Sequence, residues 1–215
     1  MNVTNYRDYL WVEDFGVFTS DGYCLALIAT STPEEVLASL EASDDRLTVV
    51  GAQAAYRKGS GLRERHDVDG VNTQLLSVAE VAGGWTMLLQ TPGFLGISAA
   101  MSEIVTTHDV VVHGADRFEW WSRGVLRITF EPLLPQSDLV GVLADRQAPD
   151  ARAEIIALIG EVGGIDLDET PGREFHHVAG SFALAERLTG VRITRELLET
   201  TQFTATVATP DQLHW

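Results

Sequence analysis

Two strand-like runs, Gln74 to Val81 and Trp85 to Gln90, are separated by little more than Gly83-Gly84. Both glycines accept the positive φ that tight hairpin turns require. Parallel neighbours need a crossover of a dozen or more residues, and no room exists for one here. The middle of the chain is therefore expected to be an antiparallel meander. Asp109 to His113, Arg117 to Trp121 and Val125 to Phe130 extend it, the last two joined by Ser122-Arg123-Gly124. Trp120-Trp121 sends its two rings to opposite faces of such a strand, one toward the core and one more exposed.

Before the meander, Gly22 to Ala29 reads as a buried strand and Leu47 to Val50 as a short one. Thr32-Pro33-Glu34-Glu35 is a helix start, with Thr32 as cap, Pro33 in the first turn and Glu35 closing a capping box. Val36, Leu37 and Leu40 supply its apolar face. Arg57 to Asn72, with Gly59, Gly61 and Gly70, reads as a loop. Ser98 to Thr106 reads as a short helix, as does Asp150 to Val162, which Gly163-Gly164 stops. Phe175, Val178, Phe182, Ala185 and Leu188 recur every three or four residues, predicting an amphipathic helix with Gly190 as its C-cap. Thr194 caps a final short helix carrying Leu197 and Leu198, and Phe203 to Val207 makes one more strand. The order predicts an α+β fold: a largely antiparallel sheet with helices packed on it and a helical C-terminal third. One domain is expected over 1–215, with a helical subregion at about 150–200.

Acidic residues outnumber basic ones 31 to 15, a formal net charge of −16. Phosphate binding needs a positive surface, so a free-standing nucleic-acid binder is excluded. Leu184 to Leu198 echoes a helix-turn-helix, but its turn glycine is misplaced and Phe175 to Trp215 carries three arginines against four acids. The single cysteine, Cys24, precludes an intrachain disulfide and reads as a small core residue. No secretory signal and no apolar run of membrane-spanning length is visible, which points to the cytoplasm. Lys58 is the only lysine, so arginine supplies almost all the positive charge.

Motifs for bond-making chemistry are incomplete. Gly180-Ser181 and Ile97-Ser98 both miss the nucleophile elbow. Lys58-Gly59-Ser60-Gly61 lacks the spacing of a phosphate loop, although Arg57, Lys58, Arg63 and Arg65 form the one basic island, suited to an anion or acidic contact. His176 and His177 lie about 100° apart on a helix and do not share an ion easily. His108 and His113 point to opposite faces of a strand. Asp67-Val68-Asp69-Gly70 has its glycine two positions early for a calcium loop. No cofactor and no metal site is expected.

Three islands resemble a known family when taken together. They are Tyr9-Leu10-Trp11-Val12-Glu13-Asp14-Phe15-Gly16 with Tyr23-Cys24-Leu25 and Thr32-Pro33-Glu34-Glu35-Val36-Leu37; Gly83-Gly84-Trp85-Thr86; and Ala183 to Thr194, which contains Ala-Glu-Arg-Leu-Thr-Gly-Val. The combination resembles an uncharacterised actinobacterial family classed only as a domain of unknown function. The resemblance implies an actinobacterial or actinophage-related cytoplasmic protein and transfers no functional residues.

The acidity is uneven. Residues 1–50 and residues 131–175 each carry a net −7, together 14 of the 16 excess charges. If the two segments meet, they form a negative patch able to steer a basic partner. The leading expectation is therefore a non-enzymatic protein-binding module, of the immunity or antitoxin kind, that captures a basic protein. Its contact residues would be Trp11, Glu13, Asp14, Asp44, Asp45, Glu119, Trp120, Trp121, Asp166, Asp168 and Glu169. The alternatives are an enzyme with an unrecognised acid–base site, using His66, His176 or a carboxylate pair, and a self-associating structural protein. The sequence leaves the oligomeric state open.

Overall fold

The computed structural model describes residues 4–19, 22–66, 73–91, 102–114, 116–141, 143–144, 147–168 and 175–208. A 3-10 helix, Tyr6–Asp14, and α1, Gly16–Thr19, precede β1, Cys24–Ala29. Then follow α2, Pro33–Ser39; β2, Leu47–Val50; α3, Ala52–His66; β3, Gln74–Val81; and β4, Trp85–Gln90. The second half runs α4, Ser102–Thr107; β5, Asp109–Gly114; β6, Phe118–Ser122; β7, Val125–Phe130; α5, Pro135–Leu139; α6, Pro149–Val162; α7, His177–Thr189; α8, Arg195–Thr200; and β8, Gln202–Ala208.

The strands form one antiparallel sheet in the order β2-β8-β3-β4-β1-β5-β6-β7. This is the expected α+β arrangement. The β3–β4 hairpin closes with Val81 opposite Trp85, and Gly83 and Gly84 both take positive φ. The β6–β7 hairpin turns at Arg123-Gly124, again both at positive φ. β8 inserts between β2 and β3, so the last strand joins two early neighbours.

Both faces of the sheet are covered, which explains the unbroken apolar run of β1. On one face Leu25, Leu27, Met87, Leu89, Val111, Phe118 and Phe203 pack beneath the 3-10 helix, α3, α6 and α7. On the other, Ala26, Ile28, Val78, Leu88, Val110 and Val112 meet Val36, Leu37 and Leu40 of α2 and Ile104 and Val105 of α4. The capping box of α2 forms: Glu35 N donates to Thr32 Oγ1 at 3.3 Å and Thr32 N donates to Glu35 Oε2 at 2.8 Å. Gly190 ends α7 in the left-handed region, and Leu197 N donates to Thr194 Oγ1 at 3.0 Å.

The structure corrects one expectation outright. The stretch read as a loop from Arg57 is helical through His66, as the greater part of α3. Its glycine is there for contact: a Cβ on Gly59 would lie 2.4 Å from Leu75 Cδ1. Ala52, Ala55, Gly59 and Leu62 are buried at helical spacing, so small residues let α3 press against β3. The remainder of that stretch, with Asp67 to Gly70, lies outside the described residues, as does the first part of the helix expected from Ser98. The tryptophan pair sends its rings to opposite faces as expected, but neither is the more exposed. The register shifts between Trp120 and Trp121, and both rings are half-buried, Trp120 against the first core and Trp121 against the second.

Candidate functional site

The 3-10 helix is set by Asn5, whose Oδ1 accepts from Arg7 N at 2.9 Å while Asp8 Oδ2 accepts from Asn5 N at 3.1 Å. Tyr9 and Val12 then face inward against α7. The Tyr9 hydroxyl donates to Glu186 Oε2 at 2.8 Å, and burial together with that carboxylate pushes its pKa well above the ordinary value.

Facing this helix, α6 ends at Gly163 and Gly164, both at positive φ. A Cβ on Gly164 would lie 2.8 Å from Tyr6 Cβ and 2.9 Å from the His176 carbonyl oxygen. The glycine pair thus stops α6 and lets three chain segments meet. His176 stands at the start of α7, stacked on Tyr6 with ring centroids 5.2 Å apart, and its Nδ1 is 2.9 Å from Glu13 Oε1. Arg7 lies over the other aromatic partner, 4.9 Å from the Tyr6 centroid.

Between these groups is a cleft of about 310 Å³, walled by Tyr6, Arg7, Glu161, Gly163, Asp166 and His176. Asp166 is buried, and its Oδ1 accepts from Asp168 N at 3.2 Å, which turns the exposed Asp168 outward. The next imidazole, His177, has its pKa lowered by burial, an effect Glu13 opposes. The cleft is therefore polar, carboxylate-rich and joined to the first acidic segment by the His176–Glu13 contact.

The expected contact residues fall into three places. Asp166 lines this cleft, Asp168 is bonded to it through its backbone N, and Glu13 reaches the cleft through His176, whereas Asp14 ends the 3-10 helix next to Phe15 and is not among the cleft's lining residues. Trp11 lies further along the 3-10 helix, where its ring packs edge-on against Phe15 and Phe182 and is covered by Arg195, 5.7 Å from its centroid. Trp11 is thus packed and not a protruding anchor. Asp44 and Asp45 lie at a second place, before β2. There Asp45 lies 3.0 Å from Arg65 and 3.1 Å from His66, whose hydrogen bonds hold its carboxyl below the usual range. Glu119, Trp120 and Trp121 lie at a third, on β6. Glu119 is buried, accepts from Trp121 Nε1 at 3.0 Å, and is pushed up in pKa by that burial. Glu169 lies outside the described residues.

Tyr6, Arg7 and the His176–Glu13 pairing were not readable as a site, because no local spacing links residue 13 to residue 176. Gly163-Gly164 was visible only as a helix stop. Among the described residues, no group of three or more His, Cys, Asp or Glu side chains is placed to hold a metal ion. Among them, too, no helix is long and apolar enough to cross a membrane. A family model described as a family of unknown function (DUF6461) matches residues 1–212. No curated protein and no solved structure matches the chain.

Proposed function

The chain belongs to a family of unknown function, DUF6461, and from its own surface we propose that it is a protein-binding module that captures a basic partner. The observation that carries this is the meeting of two acidic segments, residues 1–50 and 131–175, at the cleft between the 3-10 helix and the α6–α7 connection. Glu161 and Asp166 line the cleft, with Asp168 bonded to Asp166 and Glu13 to His176. An arginine or lysine of the partner enters here, its charge met by the carboxylates of the wall. Long-range attraction from the net charge of −16 speeds the encounter. An immunity or antitoxin role, in which this capture occludes a basic toxin, is the form of the proposal that fits a module without a motif for chemistry. An actinobacterial, cytoplasmic setting belongs with it, supported by the arginine-rich, lysine-poor composition and the single cysteine.

The test uses an arginine-rich peptide and the doubly substituted Glu161→Gln, Asp168→Asn chain, both at exposed positions. Binding should weaken steeply between low and high salt, and the variant should lose about tenfold, the size expected from two rim charges. Binding that ignores both salt and the substitutions would rule the reading out. A second reading, acid–base catalysis, draws on the His176–Glu13 contact at 2.9 Å beside the cleft. It requires turnover of a small-molecule substrate that Glu13→Gln abolishes while peptide binding persists.

A further inference from the structure

A second cavity, about 300 Å³, opens at the other end of the 3-10 helix, between the start of α3 and α8. Phe15, Val50 and Leu198 form its apolar wall, and Arg57, Arg195 and Glu199 its charged one. Gly51 draws the walls together: its φ is +88°, and a Cβ there would lie 2.9 Å from the Glu199 carbonyl oxygen.

The arginines divide by whether they reach a carboxylate. Arg46, Arg65, Arg117, Arg127, Arg187 and Arg192 each do. Arg57 and Arg195 form no ion pair among the described residues, although the chain has twice as many acids as bases. Arg7, Arg63 and Arg123 form none among them either, but only Arg57 and Arg195 line this cavity. Arg195 is nevertheless held in position. Its Nη2 donates to the Trp11 carbonyl oxygen at 3.2 Å, and its guanidinium lies 5.7 Å from the Trp11 centroid and 5.6 Å from that of Phe15. A guanidinium fixed on two rings with its charge unmet is preorganised for an anion.

We propose that this cavity binds a small organic carboxylate. Its carboxylate lies between Arg57 and Arg195, and its short apolar body rests on Val50, the exposed apolar side chain of the wall. The volume is at the small end of known ligand sites, which suits a body of one ring or a short chain. An organic carboxylate is preferred over inorganic phosphate because its apolar body also covers the apolar side chain in the wall, a contact that phosphate lacks. The site is separate from the acidic cleft and stands or falls independently of partner capture.

The full chain is titrated with sodium benzoate, following heat and tryptophan fluorescence, since Trp11 carries the Arg195 guanidinium. Benzamide, of the same shape but neutral, and inorganic phosphate are run alongside. Benzoate should saturate below about 10 mM and both others should bind at least about tenfold more weakly. Arg57→Leu, at an exposed position, and Arg195→Lys, which keeps a cation over the rings without the planar fork, should each weaken benzoate about tenfold. Far-UV circular dichroism should be unchanged in both. Absence of saturable benzoate binding, equal binding of benzamide or phosphate, or full affinity in both variants would overturn the proposal.

Discussion

The two cavities at either end of the 3-10 helix are nearly equal in volume, about 310 and 300 Å³, and opposite in character. Around the Tyr6 cleft the basic side chains are engaged: Arg187 lies 2.6 Å from Glu161, His176 2.9 Å from Glu13, and Arg7 over the Tyr6 ring. The carboxylates in its wall are Glu161 and Asp166. Around the Phe15 cavity two guanidinium groups have no carboxylate partner among the described residues. The sign of a site is thus set by which charges line it, and a net charge of −16 coexists with a cationic pocket because Coulomb interactions in water are short-ranged.

The largest effect expected is common to both cavities and tests whether they share one platform. His113 is fully buried, 4.5 Å from the Phe182 ring that also packs on Trp11, and burial pushes its pKa down to about 3 from an ordinary 6.5. Above pH 6.5 the imidazole is neutral in both folded and unfolded chains and pH has no influence through this group. Below it the unfolded chain takes up a proton that the folded chain refuses, so stability falls as pH drops from 6.5 toward 3. The slope approaches ~1.4 kcal/mol per pH unit and the loss reaches a few kcal/mol. Urea denaturation of His113→Phe across this range should lack that component. An unchanged slope would show that the imidazole is not the group responsible.

Next come the glycines that shape each cavity separately. Gly164→Ala forces a methyl against Tyr6 and the His176 carbonyl at a left-handed backbone position, and should cost about 3 kcal/mol. Gly51→Ala meets backbone on one side only and should cost about 2 kcal/mol. The first should impair the arginine-rich peptide and spare benzoate, and the second the reverse. A loss of both ligands in either variant would break the distinction between the sites. Glu13→Gln removes a half-exposed pair and should cost only about 0.5 kcal/mol by the same denaturation measurement. The smallest effect belongs to the β6–β7 turn, remote from both cavities. Arg123 takes φ +44° there, and Arg123→Asn, which tolerates that region, should raise stability by about 0.5 kcal/mol while leaving both ligands unaffected.

The local signals in the chain translated faithfully. Thr32 and Thr194 cap, Gly190 terminates, and Gly83-Gly84 turns, because each of these acts on backbone groups within four residues. The α3 helix escaped the same reading. Gly59 weakens a helix in isolation, yet its missing side chain admits Leu75 of β3, and that contact is outside any local window. The site was legible only in part: Glu13, Asp166 and Asp168 could be read as acidic but not as neighbours, and His176 could not be tied to Glu13 across more than 160 residues.

Element types, caps and hairpin turns, and the surplus of carboxylates, were written in the chain itself, since they depend on residue chemistry and short-range backbone geometry. The insertion of β8 between β2 and β3, the joining of the two acidic segments, and the placing of Arg57 and Arg195 on one cavity, neither in an ion pair among the described residues, were decided by the tertiary structure. Burial of apolar surface rewards any compact arrangement without direction. Only the packed sheet, with helices on both faces, determines which distant charges become neighbours and which are left to meet a ligand.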